Sequence, residues 1–138
     1  ILNSEPIDVF NFGKMRRDFT FVEDLVEAIR LLIDVPPKVL TDREDLIKED
    51  SLSEVAPWRV VNIGNSNSVD LMDYIAAIEF HLDKSARKNF LEMQAGDVPS
   101  TWANSDLLEE LTGFKPSTSI DEGIGKFIDW YKAYYGLR

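Results

Sequence analysis

The sequence contains no cysteine and a single histidine, His81. Without thiols there is no disulfide framework, no thiolate metal site and no thiolate nucleophile. One imidazole would leave a zinc site to be built almost wholly from carboxylates, against the preference of zinc for nitrogen and sulfur. His81 falls on a helix face, where a solvated or edge role is the ordinary one, so a Ser/His/Asp set has no support. None of the seven glycines is spaced as a G-x-G-x-x-G turn or a P-loop, and no Tyr-x-x-x-Lys occurs. Basic residues are in the minority, 15 Lys and Arg against 25 Asp and Glu, for a net charge of −10. Nucleic acid is thereby excluded as a default partner, because phosphate contacts need a basic surplus. Anionic membrane surfaces are disfavoured for the same reason. No apolar run approaches the roughly 20 residues of a membrane span, and no signal-peptide pattern opens the chain. A cytoplasmic, reducing compartment fits these absences.

What is present fits one globular domain: 138 residues, 44% hydrophobic and 29% charged. Ile1-Leu2-Asn3-Ser4 carries no initiating Met and no capping signal, and reads as the tail of a helix that begins elsewhere. Ile7-Asp8-Val9-Phe10 alternates as a short strand and Asn11-Phe12-Gly13 turns. Thr20 with Glu23 has capping-box spacing, ahead of Leu25, Val26, Ile29, Leu32 and Ile33 at helical rhythm. Asp34-Val35-Pro36-Pro37 ends that helix. Residues 36–57 read as a mobile acidic surface loop. Trp58 to Ile63 is a β-rich run stopped by Gly64, and Ser68 precedes a helix bearing Leu71, Met72, Ile75, Ile78 and Leu82. Lys88 to Met93 suits a short strand, and residues 94–99 a loop. Ser105 is placed to cap a short helix that stops at Thr112-Gly113. Ser119 with Glu122 forms a second capping box for a last helix, with Ile120, Ile124, Phe127, Ile128, Tyr131 and Tyr135 on one stripe and Gly136 at its end. The order predicts an α/β fold, α+β-like in its local arrangement, with short strands and about four helices. Apolar helix faces on so thin a sheet suggest a piece that packs on something larger.

Two local groups can carry chemistry. Lys14, Arg16 and Arg17 cluster in a loop after a strand of an acidic protein. The planar fork of arginine suits bidentate phosphate binding, and an ion pair to Asp18 or Glu23 is the competing reading. Gly96-Asp97 ahead of Val98-Pro99 makes a tight loop with one carboxylate. That carboxylate can accept from sugar hydroxyls or bond its own backbone, as Asp does in turns. Trp58 and Trp102 are large enough to stack on a base or sugar, whereas Trp130 lies beside the last helix's stripe and reads as packing.

Taken together, several runs resemble one family. The stretch Ile7-Asp8-Val9-Phe10-Asn11-Phe12-Gly13-Lys14-Met15-Arg16-Arg17-Asp18-Phe19-Thr20-Phe21 resembles the region just after the middle of UDP-glucuronate 4-epimerases. Arg59-Val60-Val61-Asn62-Ile63-Gly64-Asn65 is similar to their later strand and turn. Met93-Gln94-Ala95-Gly96-Asp97-Val98-Pro99-Ser100-Thr101 is similar to their M-Q-P-G-D-V-P-A-T loop. Gly113-Phe114-Lys115-Pro116 and the stretch from Gly123 to Tyr131 match their C-terminal pattern. The combination is specific to the nucleotide-sugar branch of extended short-chain dehydrogenases/reductases.

The resemblance implies a two-lobed enzyme. An N-terminal Rossmann lobe binds NAD and carries the catalytic Tyr-x-x-x-Lys, and a smaller C-terminal lobe holds the UDP-sugar. Residues 1–138 look like that second lobe, so no catalytic, cofactor-binding or metal-binding residue is expected within them. In the family NAD takes a hydride from sugar C4, the keto-sugar turns over, and the hydride returns to the other face. Arg17 matches the family arginine that meets the UDP diphosphate. Val9 and Phe10 match a strand end whose backbone reads the uracil edge, and Gln94 and Asp97 match loop positions near ribose and phosphate. The resemblance further implies a homodimeric parent, inactive when reduced to this lobe. Ala95 in place of the usual Pro, Asn104 for the usual Asp and Glu23 for the first acid of an Asp-Asp pair are departures. Two alternatives stand beside this reading: a stand-alone acidic interaction module, or the lobe of a related nucleotide-sugar dehydratase or decarboxylase.

Overall fold

The computed structural model describes residues 1–38 and 50–137. Among the described residues four short strands and four α-helices follow in the order β, β, α, β, α, β, α, α, and they fall into two compact units.

The first unit comprises Ile1–Phe19, Ser68–Thr101 and Thr118–Arg138. Strand β1 (Ile7–Val9) pairs in parallel with β4 (Lys88–Phe90), in the register Ile7↔Lys88 and Val9↔Phe90. Asn89 Nδ2 donates to Asp8 Oδ1 across the pair at 2.9 Å. A single 3₁₀ turn, Phe10–Gly13, follows β1. Asn11 and Phe12 both adopt left-handed backbone there, at φ 49° and 52°, a conformation costly for a bulky residue such as Phe. Asn11 Nδ2 holds the turn by donating to the Lys14 carbonyl at 2.8 Å. Gly13 also has φ +79°, and a Cβ on it would lie 2.7 Å from Met72 Sδ.

Strand β2 (Arg16–Asp18) pairs antiparallel with β3 (Ser68–Asp70). Both were hidden in the sequence, since three-residue runs as polar as Arg-Arg-Asp and Ser-Val-Asp show no apolar alternation. Ser68, expected just ahead of a helix, is the first residue of β3, and Asp70 takes the N-cap of helix α2 (Leu71–Leu82). Helix α4 (Ile120–Tyr135) begins as expected, with the Ser119 hydroxyl accepting from the Glu122 N–H at 3.2 Å, and ends at Gly136. The two helices pack through Ile75, Ile124 and Ile128, each at most 5% exposed. Gly125 lets them approach: a Cβ there would sit 2.9 Å from His81 Cε1. His81 Nε2 also contacts Asp121 Oδ1 at 3.0 Å, so the lone histidine joins α2 to α4. The aromatic face of α4 is more exposed than the sequence stripe implies. Trp130, read as packing, is 55% exposed and stacks on Tyr134. Residues 1–4, read as a helix tail, form one turn closed by Ser4 N–H to the Ile1 carbonyl.

The second unit comprises Thr20–Asn67 and Trp102–Ser117. Helix α1 (Val22–Ile33) starts one residue later than the Thr20/Glu23 box requires. Phe21 is the N-cap, no side chain caps it, and Glu23 and Asp24 in the first turn complement the positive end of the helix dipole instead. Helix α3 (Asp106–Thr112) ends at Gly113 in left-handed conformation, as its sequence suggests. Ala28, Gly64, Ser105, Leu108 and Pro116 are the buried residues among those described in this unit. The expected strand at Trp58–Ile63 is not formed among the described residues. A β-rich run needs a ladder partner, and here its start is held by side chains. Ser51 Oγ accepts from the Val60 N–H at 3.1 Å, and Arg59 grips Asp50 with two bonds of 2.8 Å. Half of the expected mobile loop, residues 39–49, lies outside the described residues. Its last part contains Asp50, whose side chain is only 2% exposed.

Candidate functional site

All five sequence-designated residues, Val9, Phe10, Arg17, Gln94 and Asp97, lie in the first unit. They sit on two segments, 7–18 and 88–101, stitched together by backbone. Leu91 N–H donates to the Val9 carbonyl and Phe12 N–H to the Leu91 carbonyl, both at 3.0 Å. Further along, Arg16 N–H donates to the Pro99 carbonyl at 2.8 Å and Thr101 N–H to the Arg16 carbonyl at 3.2 Å. Strand β2 is thus held between β3 and the loop that carries Gln94 and Asp97.

Arg17 and Asp97 are brought into direct contact, Nη2 to Oδ1 at 2.9 Å, with both side chains partly exposed. Arg17 Nη1 donates to the Arg16 carbonyl at 2.8 Å. Asp97 Oδ1 also accepts its neighbour Val98's N–H at 2.8 Å. The arginine is ion-paired, though with Asp97 where the sequence reading named Asp18 or Glu23, and the Asp97 carboxylate also bonds its own turn. They meet in one pair that neither reading named. Gly96 at φ +86° and Asp97 N–H donating to the Gln94 carbonyl at 3.2 Å shape the tight loop. Gln94 itself is exposed.

Val9 is 1% exposed and its carbonyl already accepts from Leu91, which leaves one carbonyl lone pair. Phe10 opens the 3₁₀ turn and is half-buried. The structure joins Gln94, Asp97 and Arg17 into one cluster and places Val9 and Phe10 at the opposite end of the same stitched segment.

Sequence reasoning noted Arg16 but missed its role. Its side chain donates to the Ser68 carbonyl at 2.6 Å and lies 3.5 Å from Asp70 Oδ1, linking β2 to β3. No spacing signal could have revealed a bond between positions 52 apart. Just beyond β2, Phe19 stacks on Tyr74 with ring centroids 4.1 Å apart, and burial pushes the Tyr74 phenol above its ordinary pKa. Lys14 is exposed beside the turn. Chemically, the cluster offers a forked cation within reach of solvent, a carboxylate and a glycine-opened loop. That is the equipment for binding a hydroxylated anion, and no acid/base pair accompanies it. Among the described residues no group of three or more His, Cys, Asp or Glu is placed to hold a metal, and no helix is long and apolar enough to cross a membrane.

No family model matches the chain. It is 47% identical over 135 residues to the probable UDP-glucuronate 4-epimerase of Rhizobium meliloti, an alignment covering 98% of this chain and 40% of that protein. The same identity and coverage hold for protein CapI of Staphylococcus aureus. Among solved structures, it superposes on the UDP-glucuronic acid 4-epimerase of Bacillus cereus in complex with UDP-glucuronic acid and NAD. The TM-score is 0.73 at 26% identity, covering 97% of this chain and 37% of the other. The chain therefore spans 40% of the length of these two relatives.

Proposed function

We propose that this chain, a homologue of the UDP-glucuronate 4-epimerases over nearly its full length, forms the nucleotide-sugar-binding part of an enzyme that inverts C4 of UDP-glucuronate. The observation that carries the reading is the Arg17 fork. It is partly exposed, fixed beside the loop of Gln94 and Asp97, and carried by a sequence aligned almost end to end with these enzymes. Among the described residues, Asp97 and the Arg16 carbonyl occupy two of the five guanidinium N–H groups. The rest are available for two oxygens of a diphosphate. Gln94 lies one turn of loop away for the ribose side, and the backbone at Val9 and Phe10 offers hydrogen-bonding groups for a base edge.

The residues here do not fit NAD. None of the seven glycines builds a dinucleotide turn, and no Tyr-x-x-x-Lys is present. The part played by these residues is to bind and orient the nucleotide, while the redox chemistry belongs to the remaining length that the relatives possess. The chain alone is therefore expected to be inactive.

The test is kinetic, in the full-length polypeptide that carries residues 1–138. It is expected to convert UDP-glucuronate to its C4 epimer. Arg17→Ala is expected to raise KM by roughly 10- to 150-fold, the equivalent of about 1.5–3 kcal/mol for a lost charge-assisted bond. Arg17→Lys, which keeps the charge but not the fork, should fall between. An unchanged KM in Arg17→Ala removes this arginine from the site.

A further inference from the structure

Asp97 Oδ1 is used twice within the protein, by Arg17 Nη2 at 2.9 Å and by Val98 N–H at 2.8 Å. The other terminal nitrogen of Arg17 is held by the Arg16 carbonyl at 2.8 Å. That carbonyl also accepts the Thr101 N–H at 3.2 Å, and the Arg16 N–H reaches Pro99 at 2.8 Å. The two acceptors that grip the fork are thus tied to each other through backbone bonds two and four residues beyond Asp97. A long, rotamer-rich side chain held in this way has lost its freedom on folding and need not lose it again on binding.

We infer that Asp97 is a positioning residue that acts through Arg17, setting the guanidinium for the phosphate portion of the ligand rather than serving the nucleoside hydroxyls. This rests on the reading above that Arg17 binds a diphosphate. The charge of Asp97 is not what the role requires. Its acceptor oxygen is, and a carboxylate beside an incoming anion repels it. Asp97→Asn keeps an acceptor for both bonds and removes the charge.

The experiment measures binding of inorganic pyrophosphate, UDP and uridine to the full-length polypeptide, as wild type, D97A, D97N, R17A and R17A/D97A. D97A is expected to weaken pyrophosphate and UDP about tenfold, leave uridine unchanged, and raise KM with kcat preserved. D97N is expected to stay within about threefold of wild type for all three ligands, and D97A to have no further effect in the R17A background. A D97A variant that loses uridine as strongly as UDP while keeping pyrophosphate overturns the inference, as does a full D97A effect in the absence of Arg17. If R17A itself leaves pyrophosphate and UDP binding unchanged, the nucleotide-site reading falls first. Where D97A does not fold, D97E replaces it. Its longer arm should weaken pyrophosphate and spare uridine, and the reverse pattern overturns the inference.

Discussion

Ser105 and Gly64 hold each other through one hydroxyl. Gly64 N–H donates to Ser105 Oγ at 3.0 Å, and Oγ donates to the Gly64 carbonyl at 2.7 Å. Ser105 is fully buried and stands at the N-cap position of α3, yet its side chain makes no cap bond. The capping role that the sequence assigns to Ser105 passes to Asn104, whose Oδ1 accepts the Asp106 N–H at 2.7 Å. Ser105→Ala leaves both polar groups of Gly64 without this partner. It is expected to cost about 2–6 kcal/mol, since each buried group left unpaired costs roughly 1–3. Urea unfolding measures it, and a midpoint within error of wild type would show that water takes over the hydroxyl's bonds.

The Asp50–Arg59 pair supports a second prediction. Asp50 is 2% and Arg59 12% exposed, and the pair is bidentate. Arg59→Met is expected to destabilise by about 3–5 kcal/mol because it strands a buried carboxylate, and adding Asp50→Asn should recover part of that loss. A double variant no more stable than Arg59→Met would place the loss in packing of the arginine stem rather than in charge.

Gly125 offers a prediction whose sign depends on its neighbour. In a helix interior Ala is favoured over Gly by about 1 kcal/mol, but a Cβ here would meet His81 Cε1 at 2.9 Å. Gly125→Ala should therefore destabilise the wild type and stabilise a His81→Ala background. Thermal melts of the four combinations decide it, and the same sign in both backgrounds refutes the clash.

The acid limb of stability is expected to depend on Glu79. The Lys88 ammonium, foremost, and the Ala86 N–H hold its carboxyl below the ordinary carboxylate value of 4.5. A lowered pKa in the folded state means the contribution is complete above the unfolded value and disappears as pH falls through the lowered one. Glu79→Gln should flatten the dependence of unfolding free energy on pH below about 4.5 and leave neutral-pH activity unchanged. An unaltered acid slope would assign that limb to other carboxylates.

These residues also show how far the sequence reaches. Helix α4 was legible because Ser119, Glu122 and Gly136 are local signals spaced by helix geometry. The Thr20/Glu23 box misled by one position, since the same spacing occurs wherever polar residues cluster ahead of a helix. The Trp58–Ile63 run carries strand propensity, but propensity without a partner makes no ladder. Arg17, Gln94 and Asp97 stand out in local sequence or by resemblance, but the contact between Arg17 and Asp97 does not. A pairing across 80 positions leaves no periodicity to read.

That separation also orders events during synthesis. The arginine leaves the ribosome 80 residues before its aspartate partner, an interval of about 4–16 s at ordinary elongation rates of roughly 5–20 residues per second. Strand β1 waits equally long for β4. Throughout that interval the nascent chain displays Arg17 without Asp97, and their pair forms only when β4 and the segment behind it arrive. A translation product truncated before residue 97 would carry the arginine without its carboxylate partner.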